Sequence, residues 1–132
     1  MKTCPICEGK LIREERATQY TYKDKTQEIL QSGDYCVECG EGLLSPKDLK
    51  ASQKQIADFK RSVDHLLTTD EVRAIRKKLK LTQEKASQLF GGGVRAFHKY
   101  EIGENTQSRP LDILLKLMDS GKVSVDDLQR VG

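Results

Sequence analysis

The stretch Leu81–Gly103, LTQEKASQLFGGGVRAFHKYEIG, reads as two short helices around a glycine turn. Thr82 suits the N-cap of the first helix, where a hydroxyl satisfies one of the free backbone N–H groups at a helix start. Ala86, Leu89 and Phe90 follow at three- and four-residue spacing and share one face. Gly91, Gly92 and Gly93 end that helix, because glycine turns sharply without a Cβ penalty. A second helix is expected from about Gly93 to Glu101, with Phe97 and Tyr100 packing inward. At about 100° per residue, Arg95 and Lys99 each lie roughly 200° from Phe97 and point outward on one side.

A short helix that packs by its aromatics and shows one Arg and one Lys outward suits the second helix of a helix-turn-helix. That helix enters the major groove of double-stranded DNA, where an Arg pairs with O6 and N7 of guanine. A helical hairpin with two solvated charges is the plainer reading of the same pattern. The pattern T-Q-x-x-A-x-x-(L/F)-G…Y-E-x-G also resembles the Cro/phage-repressor type of helix-turn-helix. Thr82, Gln83, Ala86, Leu89, Phe90, Gly91, Tyr100, Glu101 and Gly103 carry the resemblance. The triple glycine departs from the single glycine of most members. Arg95, Lys99, Gln83, Val94, Ala96, Arg109, Lys77 and Lys78 are the candidate DNA-binding residues.

The whole chain has 132 residues, room for one ordinary domain or two small ones. Aromatic residues make up 5% and tryptophan is absent, so no single core is large. The net charge is +3, and its distribution says more. Residues 1–69 balance 11 basic against 11 acidic side chains, 70–103 carry 8 against 4, and 104–132 carry 4 against 5. The basic excess thus falls on the proposed DNA-binding segment, where phosphate contacts would release counterions; a solvated basic face has the same signature. No signal peptide and no apolar run of membrane-spanning length are apparent, so a cytoplasmic, membrane-free location is expected.

In a reducing cytosol four cysteines suggest metal ligands rather than disulfides. Cys4-Pro5-Ile6-Cys7 and Cys36-Val37-Glu38-Cys39 are CxxC pairs separated by 28 residues, the spacing of a structural zinc site. Two such knuckles complete a tetrahedral S4 set, with every position taken by protein and none left for a reactive water. One structural Zn2+ per chain is expected from Cys4, Cys7, Cys36 and Cys39. A rubredoxin-like iron centre uses the same two knuckles and makes an electron carrier a competing reading. Between the knuckles Leu11–Arg13 and Thr18–Tyr22 are candidate strands, Lys23–Lys25 a turn, and Thr26–Leu30 the return, as in a zinc ribbon. Tyr20, Tyr22 and Lys23 are a candidate protein-binding face, or simply cover a thin core.

Ser45-Pro46-Lys47-Asp48 starts a helix expected over about 45–66, with Leu49, Ile56, Phe59, Val63 and Leu66 as its stripe. Thr68 with Glu71 fits a capping box for a helix holding Val72, Ile75 and Leu79 inward and showing Arg73, Arg76, Lys77, Lys78 and Lys80 outward. Arg109-Pro110 opens a helix with more apolar residues than one face needs, and Ser124 caps a last short one. A dimer interface would use the surplus, and helix-turn-helix proteins pair to reach half-sites about 34 Å apart. The fold class is therefore α+β: a small zinc-bound β N-terminal domain with a linking helix (1–67), then an all-α helix-turn-helix domain for DNA binding and dimerisation (68–132). No carboxylate pair, nucleophile–base set or open metal site suggests an enzyme.

The order of ribbon, linking helix and repressor-type helix-turn-helix, with CPxC…CxxCGE, LxLTQ at Leu79–Gln83 and FGGGVxAFxxYExG at Phe90–Gly103, resembles the MqsA (YgiT)-type antitoxins. The resemblance implies a type II toxin–antitoxin system. A zinc-binding N-terminal domain would neutralise an mRNA-cleaving toxin (an mRNA interferase), and a dimeric C-terminal domain would repress its own operon at a palindromic operator. It also implies Cys4, Cys7, Cys36 and Cys39 as zinc ligands. The family's base-reading Asn and Arg, four residues apart, fall on Arg95 and Lys99, so this chain departs at both. A zinc-ribbon/helix-turn-helix regulator without a toxin partner is the alternative.

Overall fold

Two residues make the turn on which the β part of the chain is built. Lys23 and Asp24 both have positive φ, 49° and 66°, as a two-residue type I′ hairpin turn requires. They join β1 (Leu11–Tyr22) to β2 (Lys25–Cys36), antiparallel from Leu11↔Cys36 to Tyr22↔Lys25. The two strands expected at Leu11–Arg13 and Thr18–Tyr22 are thus one. Glu14–Ala17 have little β preference of their own, and their cross-strand partners Gly33–Leu30 hold them in the ladder. A short β3 (Gly42–Leu43) pairs with Asp34 and Tyr35 on the other side of β2. The computed structural model describes residues 3–132, and the chain divides into two compact units, Met1–Ile56 and Ala57–Gly132.

The first unit has a thin core. Among the described residues its buried apolar side chains are Ile29 and Tyr35, together with Cys4 and Cys36 at the base of the hairpin. The Tyr35 hydroxyl donates to Gln31 O at 2.9 Å, and the Arg16 guanidinium lies 4.0 Å from its ring centroid. Helix α1 (Pro46–Val63) begins at Ser45 with a reciprocal cap: the Asp48 N–H donates to Ser45 Oγ at 3.1 Å, and the Ser45 N–H to Asp48 Oδ2 at 2.9 Å. Leu49 does not join an apolar stripe and is half exposed; Asp48 and Ser52 take the buried positions instead. The Arg13 guanidinium pairs with both Asp48 oxygens and, together with the Ser45 N–H, holds that carboxyl well below the usual carboxylate range. Gln55 bonds both the N–H and the C=O of Leu30 at 2.9 Å, closing one position on the outer edge of β2.

The second unit takes the end of α1 and then α2 (Thr69–Lys78), α3 (Gln83–Phe90), α4 (Ala96–Ile102), α5 (Arg109–Asp119) and α6 (Val125–Val131). Its starts follow local chemistry. Thr68 and Glu71 form the expected capping box, Thr82 accepts from the Lys85 N–H, Ser108 from the Leu111 N–H, and Ser124 pairs reciprocally with Asp127. Leu67, Val72, Ile75, Ala86, Phe97 and Leu115 form the core, with Phe90 and Tyr100 at its margin. The Phe97 ring lies 5.5 Å from that of Phe90 and 5.4 Å from that of Tyr100. On α5 Leu115 and Met118 are buried, whereas Ile113 and Leu117 are exposed.

A buried polar network accompanies this core. Arg61 donates to Gln107 Oε1 at 3.3 Å and to the carbonyls of Tyr100 and Asn105 at 3.2 and 2.6 Å. Gln107 in turn donates to Leu67 O and Asp112 Oδ1, which also receives the Leu67 N–H at 2.7 Å. Burial works against a charge on Asp112, but the Lys116 ammonium at 2.8 Å and these donors outweigh it and hold the carboxyl below its ordinary range. The folded-state value lies below the unfolded one. Its stabilisation is therefore present above a pKa of about 4 and lost as pH falls through the folded value. Thermal melts of the second unit should drop in temperature across that acid window. Asp112→Asn should melt lower at neutral pH and show a flatter acid limb; an unchanged limb would place the acid sensitivity elsewhere.

Candidate functional site

Both CxxC pairs lie in tight turns at the base of the hairpin. In the first, the Cys4 N–H donates to Gly9 O at 2.8 Å, and the Glu8 N–H donates to Cys4 O. In the second, the Cys36 N–H donates to Glu41 O at 2.9 Å and the Gly40 N–H to Cys36 O at 3.1 Å. The turns bring the four sulfurs within 4.8 Å of one another. Cys4 and Cys39 lie 3.6 Å apart and Cys7 and Cys36 3.4 Å apart, against an edge of about 3.8 Å for sulfurs placed tetrahedrally around zinc. Backbone donors face the sulfurs as they do in metal knuckles: Ile6 N–H to Cys4 Sγ at 3.4 Å, and the N–H groups of Glu38 and Cys39 to Cys36 Sγ at 3.4 and 3.5 Å. The Cys39 N–H first, with that of Glu38, pulls the Cys36 thiol down to about 6, whereas at Cys39 the Glu41 N–H is outweighed by the neighbouring thiols and burial, which push it up to about 12. Gly9 is needed beside them: a Cβ there would sit 2.9 Å from Cys36 Sγ. All four sequence-predicted ligands thus converge, and the residues fit a closed tetrathiolate metal site.

In the second unit a helix, a five-residue turn and a shorter helix occupy the quoted stretch. Gly91, Gly92 and Gly93 have φ of 83°, 96° and 103°, a run only glycine tolerates, and Gly92 also lies close under Ala96 and the Tyr100 hydroxyl. The Phe97 N–H donates to Ser87 Oγ at 3.2 Å, fastening α4 to α3. Helix α4 starts three residues later than expected, at Ala96, with Arg95 in the N-cap position. Glu101 is buried on the inner side of α4. It pairs with Arg76 through two bonds, 2.8 and 3.0 Å, and receives the Gln83 amide at 3.2 Å, while Arg76 also donates to Leu81 O at 2.8 Å. Arg76, expected outward, is therefore an inner residue. The sequence held the signal: Arg76 is four residues from Val72 and Glu101 four from Phe97, so each charge stands on the apolar face of its helix.

The other candidates divide. Val94 and Arg95 are exposed just before α4, and Lys99 lies one turn on, half-buried. Ala96 is buried, and Gln83 turns its amide to Glu101. Lys77 is exposed; Lys78 donates to Asp119 O and Oδ1 at 2.9 and 3.0 Å, and Arg109 to Asp64 O at 2.9 Å. At the hairpin tip Tyr20 and Tyr22 are half-buried, and the Lys23 ammonium lies 5.2 Å over the Tyr22 ring. Arg61, Gln107 and Asp112 had no part in the sequence reading, because their partners are backbone carbonyls and distant side chains. Among the described residues no helix is long and apolar enough to cross a membrane.

A β unit ending in four convergent thiols, followed by short helices around a glycine turn, defines a two-unit protein with a structural type of metal site. Residues 1–127 match the family described as the antitoxin component of bacterial toxin–antitoxin system, MqsA, and the chain belongs to that family. It is 37% identical over 121 residues to Antitoxin MqsA of Escherichia coli (strain K12), a match covering 88% of this chain and 91% of that protein. It is also similar to a solved structure of the N-terminal domain of the E. coli protein MqsA (YgiT). That match has 26% identity and a TM-score of 0.40, over 48% of this chain and 98% of the other.

Proposed function

We propose that this chain is a zinc-stabilised, DNA-binding antitoxin that acts as a homodimer. Family membership makes it an antitoxin of a toxin–antitoxin system. On our reading the four cysteines hold one Zn2+, whose closed tetrathiolate sphere serves folding rather than chemistry. The hairpin tip with Tyr20, Tyr22 and Lys23 contributes to binding a ribonuclease toxin. The exposed Ile113 and Leu117 of α5 lie in the dimer interface that sets two copies of α4 on a palindromic operator.

The observation that carries DNA binding is the contrast between the two sides of α4. Phe97 and Glu101 anchor it inward, while Val94, Arg95 and Lys99 lead outward. Arg95 and Lys99 read base edges in the major groove, with Val94 beside them at the entry to the helix; Ala96, buried, makes no contact there. Gln83, Lys77, Lys78 and Arg109 lie nearer the phosphates. The test is the affinity of the chain for the DNA upstream of its own gene, measured by fluorescence anisotropy. Arg95→Ala should lower it by about 1–3 kcal/mol while leaving the melting curve in place, since the side chain is exposed and makes no capping hydrogen bond to α4. Undiminished specific binding by that variant would remove α4 from the interface.

A further inference from the structure

The side chains that lead outward from the glycine turn into α4 are chemically one-sided. Glu101, the acid of α4, is buried and receives the Arg76 and Gln83 donors, so its oxygens are not offered outward. Ala96 and Phe97 are buried. What remains over residues 94–99 is Val94, 77% exposed, then Arg95, and then half-buried His98 and Lys99. Arg and Lys only donate hydrogen bonds, and His98 has the one ring nitrogen able to accept. Guanine is the base whose major-groove edge offers two acceptors, O6 and N7. Adenine sets a donor beside its N7, cytosine offers its amino group, and thymine adds a methyl that attracts apolar side chains.

Resting on the DNA-binding reading above, we infer that the sequence met by α4 carries guanine opposite both Arg95 and Lys99, with a thymine beside the first, its methyl packed on Val94. Four residues of helix advance about 6 Å. With about 3.4 Å per base on one strand, the two guanines stand about two base pairs apart. An adenine or cytosine opposite Arg95 would turn an amino group toward a guanidinium that has no acceptor to meet it.

The full chain, loaded with zinc, is to be used to select from a duplex library with a randomised segment, followed by substitutions in the selected site. Two guanines at that spacing with an adjacent thymine are expected. Replacing either guanine by 7-deazaguanine, which lacks the N7 acceptor, should weaken binding by about 5- to 150-fold. Replacing the thymine by uracil, which lacks the methyl, should weaken binding of the native chain and leave Val94→Ala unaffected. Selection of adenine or cytosine opposite Arg95, or salt-dependent retention of duplexes with no base preference, overturns this inference and leaves DNA binding standing. A uracil site bound as well as the thymine site overturns the Val94 contact. Retention of no duplex even at low salt overturns DNA binding itself.

Discussion

Stripping the metal with a chelator, or replacing Cys36 by Ser, should unfold the first unit and leave the second folded. Among the described residues the buried apolar side chains of the first unit are Ile29 and Tyr35, besides the two buried thiols Cys4 and Cys36. A unit this small needs a staple, and structural zinc supplies about 10–16 kcal/mol of apparent binding energy that is also folding energy. Ser at position 36 removes a thiolate that two backbone N–H groups are already directed at. The second unit contains no cysteine, and its core is built from Val72, Ile75, Phe97, Leu115 and their neighbours. The amide spectrum of Cys36→Ser should lose the dispersion of Leu11–Cys36 and keep that of Thr69–Asp119. Collapse of both sets of signals would mean that the units fold as one.

What the sequence made legible is local chemistry. The cysteine spacing, the Thr68–Glu71 and Ser124 caps and the glycine break after Phe90 each depend on residues a few positions apart, and each is found in the fold. The continuous β1 was not legible, because Glu14–Ala17 are strand only by virtue of residues on the other side of the hairpin. Nor was the inner face of α1. Apolar periodicity favoured Leu49, whereas the buried Asp48 answers Arg13, 35 positions earlier. The helix turns out to be shorter than expected, ending at Val63, and its last turns join the second unit, where Arg61 finds carbonyls on Tyr100 and Asn105. At the candidate DNA site Arg95 is exposed as expected, but at the N-cap of α4 rather than within the helix, and Lys99, expected equally outward, is half-buried. The inner position of Glu101 was not used, although it follows from its four-residue spacing to Phe97.

Arg76→Leu should be among the most damaging single changes in the second unit, and Arg76→Leu combined with Glu101→Leu should recover much of the loss. With Arg76 gone, Glu101 stays buried with the Gln83 amide as its remaining donor, and the Leu81 carbonyl loses its partner. Leaving one half of a buried pair costs about 3–5 kcal/mol, a large part of the 5–15 kcal/mol that holds a typical domain together. Replacing both halves by apolar side chains of similar volume is often neutral or better, because neither charge then has to be taken out of water. Double-mutant analysis of thermal or urea melts separates the two terms. Additive losses would show that Arg76 and Glu101 act independently, against the two bonds between them. The folded double variant also addresses why charges stand there at all. A bidentate pair fixes α4 against α2 in one rotation, whereas two leucines pack in several. If that rotation presents Arg95, the double variant should regain its melting temperature yet bind operator DNA more weakly than the native chain.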